Sequence, residues 1–511
     1  MTPDLLARSL QEFLTSSRDG VVIEDGQIIF DLSSCQYSIS ADRGRCLLHL
    51  WSEERNIVRH IIDADAKNGF LTLSVQRFGQ ARPHKLEICR DRDQRSPSAK
   101  NAGRTRYART LERFIRRYFP DWKLDKLSTS MDLERSFSPV YARGILRRGR
   151  STFAVLGVNQ EETQGSIDAM LTFGLLWLDA CREREAGRSF VEGLKLIVPV
   201  RTSTTLQIRL AHLNRELAKF QLFEFDERDE SLTEIDSADH GNITTRLVHC
   251  PENDRVRTRF QSAITRVLAV VADAEIAVTS PTEISFRLHG LEFARARAIN
   301  VPGSFQVEEE FIFGVAGFHA RLSDDNETTF AEFARTIVEA RRLNGDRKDA
   351  LWRMYPERWL ESLVFRNVTA VDSGLNPTHV YSQVPAFSAS DRAMIDVLAC
   401  TRDARLAVLE LKADEDIHLP LQGLDYWARV RWHHARGEFP QFGYFRGLQL
   451  SPRTPLLYLV APSLRVHPAV DTVLRYFSPD IEWSLIGVDE KWREGIRVIF
   501  RKTARRDARA G

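Results

Sequence analysis

Short runs in which hydrophobic and polar residues alternate cover residues 20–89. Alternation with a period of two is typical of strands with one buried face, and clusters of Gly, Asn and Asp favour tight turns. Residues 1–100 are therefore predicted to form a small antiparallel β domain. The runs are Val21-Val-Ile, Ile28-Ile-Phe, Cys46-Leu-Leu-His-Leu-Trp and Leu71-Thr-Leu-Ser-Val, separated by Glu-Asp-Gly, Ala-Asp-Arg-Gly and Lys-Asn-Gly.

The hydrophobic period alternates between strand-like and helix-like values in the next part of the chain. Residues 101–238 are therefore predicted to form an α/β domain. The arginine-rich segment 90–117 is predicted to begin as a linker and continue as a helix, and an acidic loop at 226–239 is predicted to end the domain. The predicted elements are a strand at 153–158, a helix at 164–185, a strand at 194–198, a second helix, and a strand at 220–225.

The remaining chain is divided into a connecting part and a C-terminal part. Residues 239–345 are predicted to be an α+β connecting domain, with a helix near 256–271 and strands around 284–288 and 311–315, and the pattern indicates no function for it. Residues 346–503 form the predicted C-terminal domain, followed by a short basic tail at 504–511. The elements predicted there are a helix at 349–366, strands at 394–398 and 406–411 with a hairpin turn at 400–405, a helix at 419–436, and a strand, helix and strand at 455–460, 468–476 and 481–488.

Composition places the chain among ordinary globular proteins. It has 511 residues, of which 28% are charged and 43% hydrophobic, and its formal net charge of +2 excludes a uniformly basic binder. The longest mainly apolar run, at 169–178, is shorter than the roughly 20 residues of a membrane span, so we expect a cytoplasmic protein without a membrane partner. The six cysteines contain no C-x-x-C pair, so the sequence signals neither a zinc nor an iron–sulfur site.

The strongest chemical signal is an acid-x-lysine pair at the end of an apolar strand. Four apolar residues precede Glu410 and Lys412 in Leu-Ala-Val-Leu-Glu-Leu-Lys. Side chains two residues apart on a strand point to the same face, so the carboxylate and the amine are expected to meet. Burying them is unfavourable unless they are paired or bind a metal, which indicates function.

The tripeptide is informative only in its context, because acid-x-Lys also begins at Asp65, Asp121, Asp346 and Asp489. The predicted hairpin sets Asp396, from Met-Ile-Asp-Val-Leu, beside Glu410. Oxygen ligands from these two carboxylates and from the backbone carbonyl of Leu411 would suit Mg²⁺ or Mn²⁺. The alternative is a surface hairpin with an isolated ion pair.

The next predicted helix carries a polar face. Gln422, Tyr426, Arg429 and His433 fall at i, i+4, i+7 and i+11. Gln422 and Tyr426 could cap and pack the helix or line a site. His433 is interpreted as a surface or groove residue.

These motifs, in this order, resemble the RecB-like branch of the PD-(D/E)XK nucleases. That branch has a helical Glu, a G-x-x-D strand, a [D/E]-x-K strand and a Q-x-x-x-Y helix. The resemblance covers about the last 150 residues, and Ala393 stands where the family often has Gly. The matching residues are Glu361, Asp396, Glu410 with Lys412, and Gln422 with Tyr426.

The resemblance implies a restriction-endonuclease-like core, which is a mixed central sheet flanked by helices. It also implies roles for the residues. Asp396 and Glu410 would bind the metal, and Lys412 would orient a water molecule or stabilise charge on the phosphate. Glu361 would assist through a water, although a solvated helix face is an alternative for it. Gln422 and Tyr426 would contact the substrate or support the site.

Residues 105–230 are a candidate second, degenerate copy of this fold. Phe-Ala-Val-Leu-Gly157-Val-Asn159 aligns without gaps to Leu-Ala-Val-Leu-Glu410-Leu-Lys412, and each strand is followed by a helix that begins with Gln-Gly, at Gln164 and at Gln422. In the same alignment Arg143 falls opposite Asp396, and Leu111-Glu112 matches Leu360-Glu361. Such a copy could not hydrolyse a substrate, so binding or dimer-like packing would be its role, which leaves a homo-oligomer open. A chance match is the alternative.

The expected function is Mg²⁺- or Mn²⁺-dependent hydrolysis of phosphodiester bonds by an endo- or exodeoxyribonuclease, with RNA left open as a substrate. Arg429, His433 and the basic stripe Arg104, Arg106 and Arg109 are candidate nucleic-acid contacts, although such a stripe is also typical of a solvated helix face. The alternative function is a catalytically silent binding or assembly protein that retains the fold. The chain has no G-x-x-x-x-G-K-[S/T] loop, so any motor coupling would need an ATP-dependent partner.

Overall fold

The protein is mixed α/β, as the sequence predicts, and its described residues form four sheets. The computed structural model describes residues 2–504 except 18–19, 25–26, 33–34, 43, 52–55, 68–69, 77–82, 91–96, 126, 133–134, 136, 239–244, 301–306, 316–317 and 389–393. Its contacts divide the chain into two compact units, Met1–Gln207 with Arg215–Ala238, and Ile208–Asn214 with Asp239–Gly511. The predicted basic tail and Ala393 lie outside the described residues, apart from Ala504.

The first sheet of the first unit is antiparallel throughout, which confirms the predicted antiparallel strands. Its seven strands have the order β2-β1-β7-β6-β5-β4-β3. Helix α1 (Pro3–Thr15), which was not predicted, buries Leu6, Leu10, Phe13 and Leu14 in the core with the strands. The strands are β1 (Val21–Glu24), β2 (Gln27–Asp31), β3 (Gln36–Asp42), β4 (Arg45–Trp51), β5 (Asn56–Lys67), β6 (Phe70–Gln76) and β7 (His84–Cys89).

The second sheet of the first unit is mixed, with the order β13-β12-β11-β10-β9-β8. The elements are α2 (Pro97–Tyr118), β8 (Lys123–Leu124), β9 (Tyr141–Arg148), β10 (Ser151–Val158), α3 (Gln164–Glu185), β11 (Phe190–Pro199), α4 (Thr204–Leu210), β12 (Lys219–Asp226) and β13 (Ser231–Ile235). The predicted helix at 164–185 is confirmed, and Thr163 caps it by accepting a hydrogen bond from the Ser166 N–H. The predicted acidic loop is wrong, because five of its residues form β13 along the edge of β12.

The second unit begins with a small α+β part. A five-stranded antiparallel sheet packs against helices around Phe260, Phe286 and Phe330. The single helix predicted near 256–271 is wrong, since the helix breaks at the buried Phe260. The elements are β14 (Thr245–Leu247), α5 (Asn253–Arg259), α6 (Gln261–Val270), β15 (Glu275–Ser280), β16 (Glu283–Leu288), β17 (Leu291–Asn300), β18 (Val307–Val315), β19 (Phe318–Arg321), α7 (Glu327–Ala340) and α8 (Ala350–Arg353).

The C-terminal part of the second unit has a seven-stranded mixed sheet with the order β14-β20-β21-β22-β23-β24-β25. The predicted hairpin, the following helix and the strand-helix-strand unit are confirmed. The helix predicted at 349–366 is two helices, because Met354 is extended and ends α8, and Tyr355, with φ +48°, precedes Pro356 at the start of α9. The elements are α9 (Pro356–Arg366), β20 (Leu375–Ser388), β21 (Met394–Thr401), β22 (Leu406–Leu411), α10 (Leu419–Ala435), α11 (Glu438–Gln441), β23 (Leu456–Pro462), α12 (Val470–Arg475), β24 (Trp483–Val488) and β25 (Val498–Thr503).

One arrangement of strands and helices occurs in both units. In each, a helix precedes an antiparallel hairpin, the second hairpin strand pairs in parallel with the next strand, that strand pairs in parallel with the one after it, and a final strand closes the edge antiparallel. Thus α2 and β8–β13 correspond in order and strand direction to α9 and β20–β25. The two segments that the sequence suggests as a repeat therefore share one topology.

The register shows that the gapless strand alignment is wrong by one residue. Arg143 pairs with Leu156 in the first hairpin, whereas the register of the second places Asp396 opposite Glu410. Leu156, rather than Gly157, thus corresponds to Glu410. The faces of the two sheets support this assignment. A Cβ on Gly157 would meet Leu111 of α2, the helix before the hairpin, whereas Glu410 lies under α10, the helix after it.

The Gln-Gly match is also wrong as a structural equivalence. A Cβ on Gly423 would meet Leu459 and Leu457 of β23 at 2.5 and 3.2 Å, so this glycine lets α10 lie directly on the sheet. A Cβ on Gly165 would have only Thr163 Oγ1 within 4 Å, at 3.8 Å. The counterpart of Gly423 is Gly174, where a Cβ would meet Leu194 and Leu196 of β11 at 2.8 and 3.1 Å.

Two further findings concern the whole described chain. Within it, no helix combines the length and the apolar character that a membrane span requires. All six cysteines are free thiols, and four of them are buried.

Candidate active site

The hairpin β21–β22 opens at its end, where the two acidic residues lie. Its backbone pairing stops at Val397 and Leu409. One step further, the Leu411 N–H donates a hydrogen bond of 3.0 Å to Asp396 Oδ2 instead of to the backbone of β21. The side chain of Asp396 therefore takes the place of a rung in the ladder, and its carboxylate is fixed beside Glu410.

Glu410 and Lys412 meet as period two predicts. Lys412 Nζ lies 3.2 Å from Glu410 Oε1, and the Glu410 side chain is only 2% exposed. The Lys412 N–H donates to the Val460 carbonyl at 3.0 Å, which fixes the residue at the end of the strand. Among the described residues, Glu410 Oε2 receives no hydrogen bond when both carboxyl groups are ionised.

Burial and like charge act together on the two carboxyl groups. Burial, and next the Asp396 carboxylate, raise the pKa of Glu410 well above its usual range. Burial also raises the pKa of Asp396, although the Leu411 N–H opposes the shift. Burial alone would lower the pKa of Lys412, but the carboxylates of Glu410, Glu357 and Asp396 outweigh it and raise that pKa. A further cation or a proton would thus stabilise the adjacent carboxyl groups of Asp396 and Glu410.

Helix α9 contributes Glu361 to the same region. Its Oε2 accepts hydrogen bonds from Arg358 at 2.9 Å and from Gln383 at 2.7 Å. Burial raises the pKa of Glu361 to about 7, with Arg358 opposing the shift and Asp396 adding to it. Gln383 belongs to β20 and has φ +53°, and the ladder places it across from Asp396. Glu361 is therefore buried and hydrogen-bonded, and the solvated-face alternative is wrong.

Glu357, one turn before Glu361, is a site residue that the sequence did not single out. Its Oε1 lies 3.8 Å from Lys412 Nζ. Burial raises the pKa of Glu357, Lys412 lowers it, and Asp396 raises it further. Its spacing of four from Glu361 on one helix face was the available signal.

Helix α10 covers the other side of Glu410. A Cβ on Gly423 would lie 3.5 Å from the Glu410 Cβ. Tyr426 is half-buried, and burial, followed by the carboxylates of Glu410 and Asp396, raises its pKa. Gln422 Oε1 is buried and accepts no hydrogen bond within the described part of the chain. Tyr426 is thus within electrostatic range of the acidic pair.

The polar face predicted for α10 does not extend to its end. Arg429 is half-buried, with its guanidinium 6.0 Å from the Tyr426 ring centre. His433 is buried, so its predicted surface position is wrong. The chain turns back at Gly437 and brings Glu438 to His433 Nδ1, while His433 Nε2 lies 3.0 Å from Thr245 Oγ1. His433 connects elements of the fold and presents no ring nitrogen to a ligand.

The basic stripe on α2, in the first unit, is only partly exposed to solvent. Arg104 is held by Glu162 at 2.8 Å and its side chain is 13% exposed. Arg106 is half-buried, whereas Arg109 is exposed. Of the three, Arg109 is thus the most accessible to a large ligand.

The residues present can be tested for a fit to Mg²⁺ or Mn²⁺. Among the described residues there is no group of three or more His, Cys, Asp or Glu side chains arranged to hold a metal. The predicted site uses two carboxylates and the Leu411 carbonyl, and small hard cations commonly keep water molecules as further ligands. The undonated Glu410 Oε2 beside the Asp396 carboxylate fits such a cation. Carbonyl ligation by Leu411 stays a prediction.

Comparison of the sequence with protein-family models gives no match, and comparison with curated proteins gives none either.

Proposed function

We propose that the second unit hydrolyses phosphodiester bonds with the aid of Mg²⁺ or Mn²⁺, as the resemblance to PD-(D/E)XK nucleases implies. One observation carries the proposal: two carboxylates, the half-buried Asp396 and the buried Glu410, lie side by side where a hairpin opens, with the Lys412 amine 3.2 Å from Glu410. This arrangement contributes little to stability by itself, because like charges are buried together.

Asp396 and Glu410, with the Leu411 carbonyl, would hold the metal. When bound, the metal polarises the phosphate and lowers the pKa of a water molecule. Lys412 keeps its proton, since the surrounding carboxylates raise its pKa, and supplies a fixed positive charge at the reacting phosphate. Tyr426 would contact the substrate, and Glu361 would hold a proton or a water molecule near Asp396.

DNA is the proposed substrate, with RNA as the alternative that the assay separates. Arg429 beside Tyr426 and the exposed Arg109 of the first unit are the proposed phosphate contacts. Such contacts do not read sequence, since phosphates are shared by all nucleic acids.

The test is a hydrolysis assay on labelled single-stranded, duplex and flap DNA and on RNA, with Mg²⁺, Mn²⁺ or EDTA. We expect metal-dependent cleavage that falls at least about 100-fold in Lys412→Ala, because a charge aimed at the reacting group is removed. The matched control is Lys491→Ala. Lys491 ends the acid-x-Lys sequence that begins at Asp489, but it is exposed and lies outside the site.

Cleavage that survives both EDTA and Lys412→Ala would contradict the mechanism. Equal losses in Lys412→Ala and Lys491→Ala would contradict the role of Lys412. Wild-type protein that cleaves none of the four substrates would instead support the alternative, a silent binding or assembly protein that retains the fold.

A further inference from the structure

A cavity of about 500 Å³ lies in the first unit, on the sheet that contains β10, β11 and β12. Its size is within the range of pockets that hold small molecules. It lies at the end of the sheet where these three parallel strands begin, which is the end opposite to the position of Leu156. The residues that line it are Trp122, Arg148, Ser151, Phe153, Glu192, Lys195, Arg215, Lys219, Phe220 and Gln221.

Lys195 is the buried cation in the lining of this cavity. The residue is only 5% exposed, and its amine lies over the Phe153, Phe119 and Phe223 rings at 4.5, 4.9 and 5.4 Å from their centres. It donates a hydrogen bond to the Gln221 side-chain oxygen. Burial lowers the pKa of Lys195 to about 8, so the amine is still mostly protonated at neutral pH.

The rest of the lining makes the cavity strongly positive. Four cationic side chains line it, namely those of Arg148, Lys195, Arg215 and Lys219, against the single carboxylate of Glu192. That carboxylate is engaged by Lys219 at 2.8 Å and by the Ser151 hydroxyl. Arg148, Arg215 and Lys219 are exposed. An electropositive opening therefore leads to a buried amine.

Aromatic side chains form the other part of the lining. The Arg148 guanidinium lies 4.7 Å from the Trp122 ring centre, and Phe153 packs edge-on to Trp122 at 5.5 Å. Rings beside cations suit a ligand with a planar part and an anionic part. The cavity is also much larger than an inorganic anion alone needs.

We propose that this cavity binds a phosphate monoester whose organic group carries a planar ring, as the sugar of a nucleoside monophosphate carries its base. Lys195, Lys219 and Arg148 bind the phosphate, and Trp122 borders the ring. The phosphate can come from a free nucleotide or from the 5′-phosphorylated end of a nucleic-acid strand. The site goes beyond the proposed hydrolysis and does not depend on it, because it involves no residue of the acidic pair.

The test is isothermal titration of the full chain with dAMP, deoxyadenosine, inorganic phosphate, and a short oligonucleotide with or without a 5′-phosphate. We expect dAMP to bind with one site per chain and deoxyadenosine not to bind. Lys195→Met and Lys219→Met should each weaken dAMP binding about tenfold or more, since a charged partner of the phosphate is lost. Arg188→Met is the matched control, because Arg188 is an exposed cation of the same unit outside the cavity.

Displacement of dAMP by the 5′-phosphorylated oligonucleotide, and not by its hydroxyl form, would support the site and identify a strand end as the source. Absence of displacement, with dAMP still bound, would support a free nucleotide. If Lys195→Met fails to fold, Lys219→Met decides, since the Lys219 side chain is 69% exposed.

The proposal is overturned if wild-type protein binds neither dAMP nor the phosphorylated oligonucleotide, or if binding is unchanged in the folded variants. It is also overturned if Arg188→Met loses as much affinity as they do. Lys412→Ala should keep wild-type affinity for dAMP, so failure of this proposal is distinguishable from failure of the proposed hydrolysis.

Discussion

Asp396 and Leu411 are joined by a hydrogen bond of 3.0 Å from the Leu411 N–H to Asp396 Oδ2. This bond satisfies a backbone donor that the open hairpin would otherwise leave without a partner. It also holds one carboxylate against another, Glu410, at the end of β22. The stability of this region should therefore depend on whether a cation or a proton is present.

Glu410→Gln should act in opposite directions with and without metal. In EDTA at pH 8 we expect the variant to be more stable by about 1 kcal/mol, because one buried like charge is removed and one pKa unit corresponds to about 1.4 kcal/mol. With Mn²⁺ at about 100 times its Kd, the wild type should gain about 2.7 kcal/mol and the variant almost nothing. Melting temperatures under both conditions measure this, and equal stabilisation of the two proteins by Mn²⁺ would contradict Glu410 as a ligand.

Glu361→Gln should remove a pH dependence of stability. Burial raises the pKa of Glu361 from 4.5 to about 7, so the folded state binds this proton more tightly than the unfolded state does. The resulting stabilisation is full below about pH 4.5 and is lost as the pH rises to about 7, a change of roughly 3 kcal/mol. Hydrogen exchange of the β21 and β22 amides in EDTA, from pH 5 to pH 8, should show this loss in the wild type and not in the variant. Parallel pH profiles would refute it.

Glu357→Gln should reduce hydrolysis no more than about threefold. The side chain is 50% exposed and 3.8 Å from Lys412 Nζ, and exposed ion pairs contribute only about 0–1 kcal/mol. Glu410→Gln should abolish metal-dependent hydrolysis in the same assay. If the two variants lose activity equally, Glu357 belongs to the metal site and our assignment of its ligands is wrong.

Gly423→Ala should destabilise the second unit by about 1–3 kcal/mol. The added Cβ would lie 2.5 Å from Leu459 Cδ2 in a packed core, which forces α10 away from β23. Gly165→Ala is the matched control, because its Cβ would enter nearly open space and alanine favours a helix by about 1 kcal/mol. Urea midpoints of the two variants test this, and a larger loss in Gly165→Ala would contradict the conclusion that Gly423 is closely packed against the sheet and Gly165 is not.

The sequence predicted those parts of the site that depend on local periodicity. Period two was enough to bring Glu410 and Lys412 together, and the hairpin turn was enough to place Asp396 beside them. It could not predict Gln383, because Pro377 and Pro385 make β20 look unlike a strand. Burial of His433 was equally hidden, since it results from Glu438 folding back after Gly437 and not from any feature of α10 itself.

The candidate second copy illustrates a second limit. Matching letters aligned Gly157 with Glu410, but hydrogen-bond register and the two faces of the sheet assign Leu156 to that position. A shift of one residue exchanges the two faces of a strand. Because both faces of these strands carry apolar residues, the sequence does not reveal the shift. The conclusion that the first unit lacks the acids and the lysine is unaffected, because Arg143, Leu156 and Val158 occupy the corresponding positions.

The first hairpin remains paired to its end, through Gly157 with Ala142 and Val158 with Tyr141, whereas the second opens before Asp396. The first hairpin is thus a fully paired counterpart with which the open second hairpin can be compared. The substitutions Arg143→Asp and Leu156→Glu would supply two carboxylates. They would not open the backbone pairing, which in the second hairpin ends before Asp396 and Glu410. A design that gives the first unit such a site would therefore have to release three backbone pairs, Arg143 with Leu156, Ala142 with Gly157 and Tyr141 with Val158, before a change of side chain could create it.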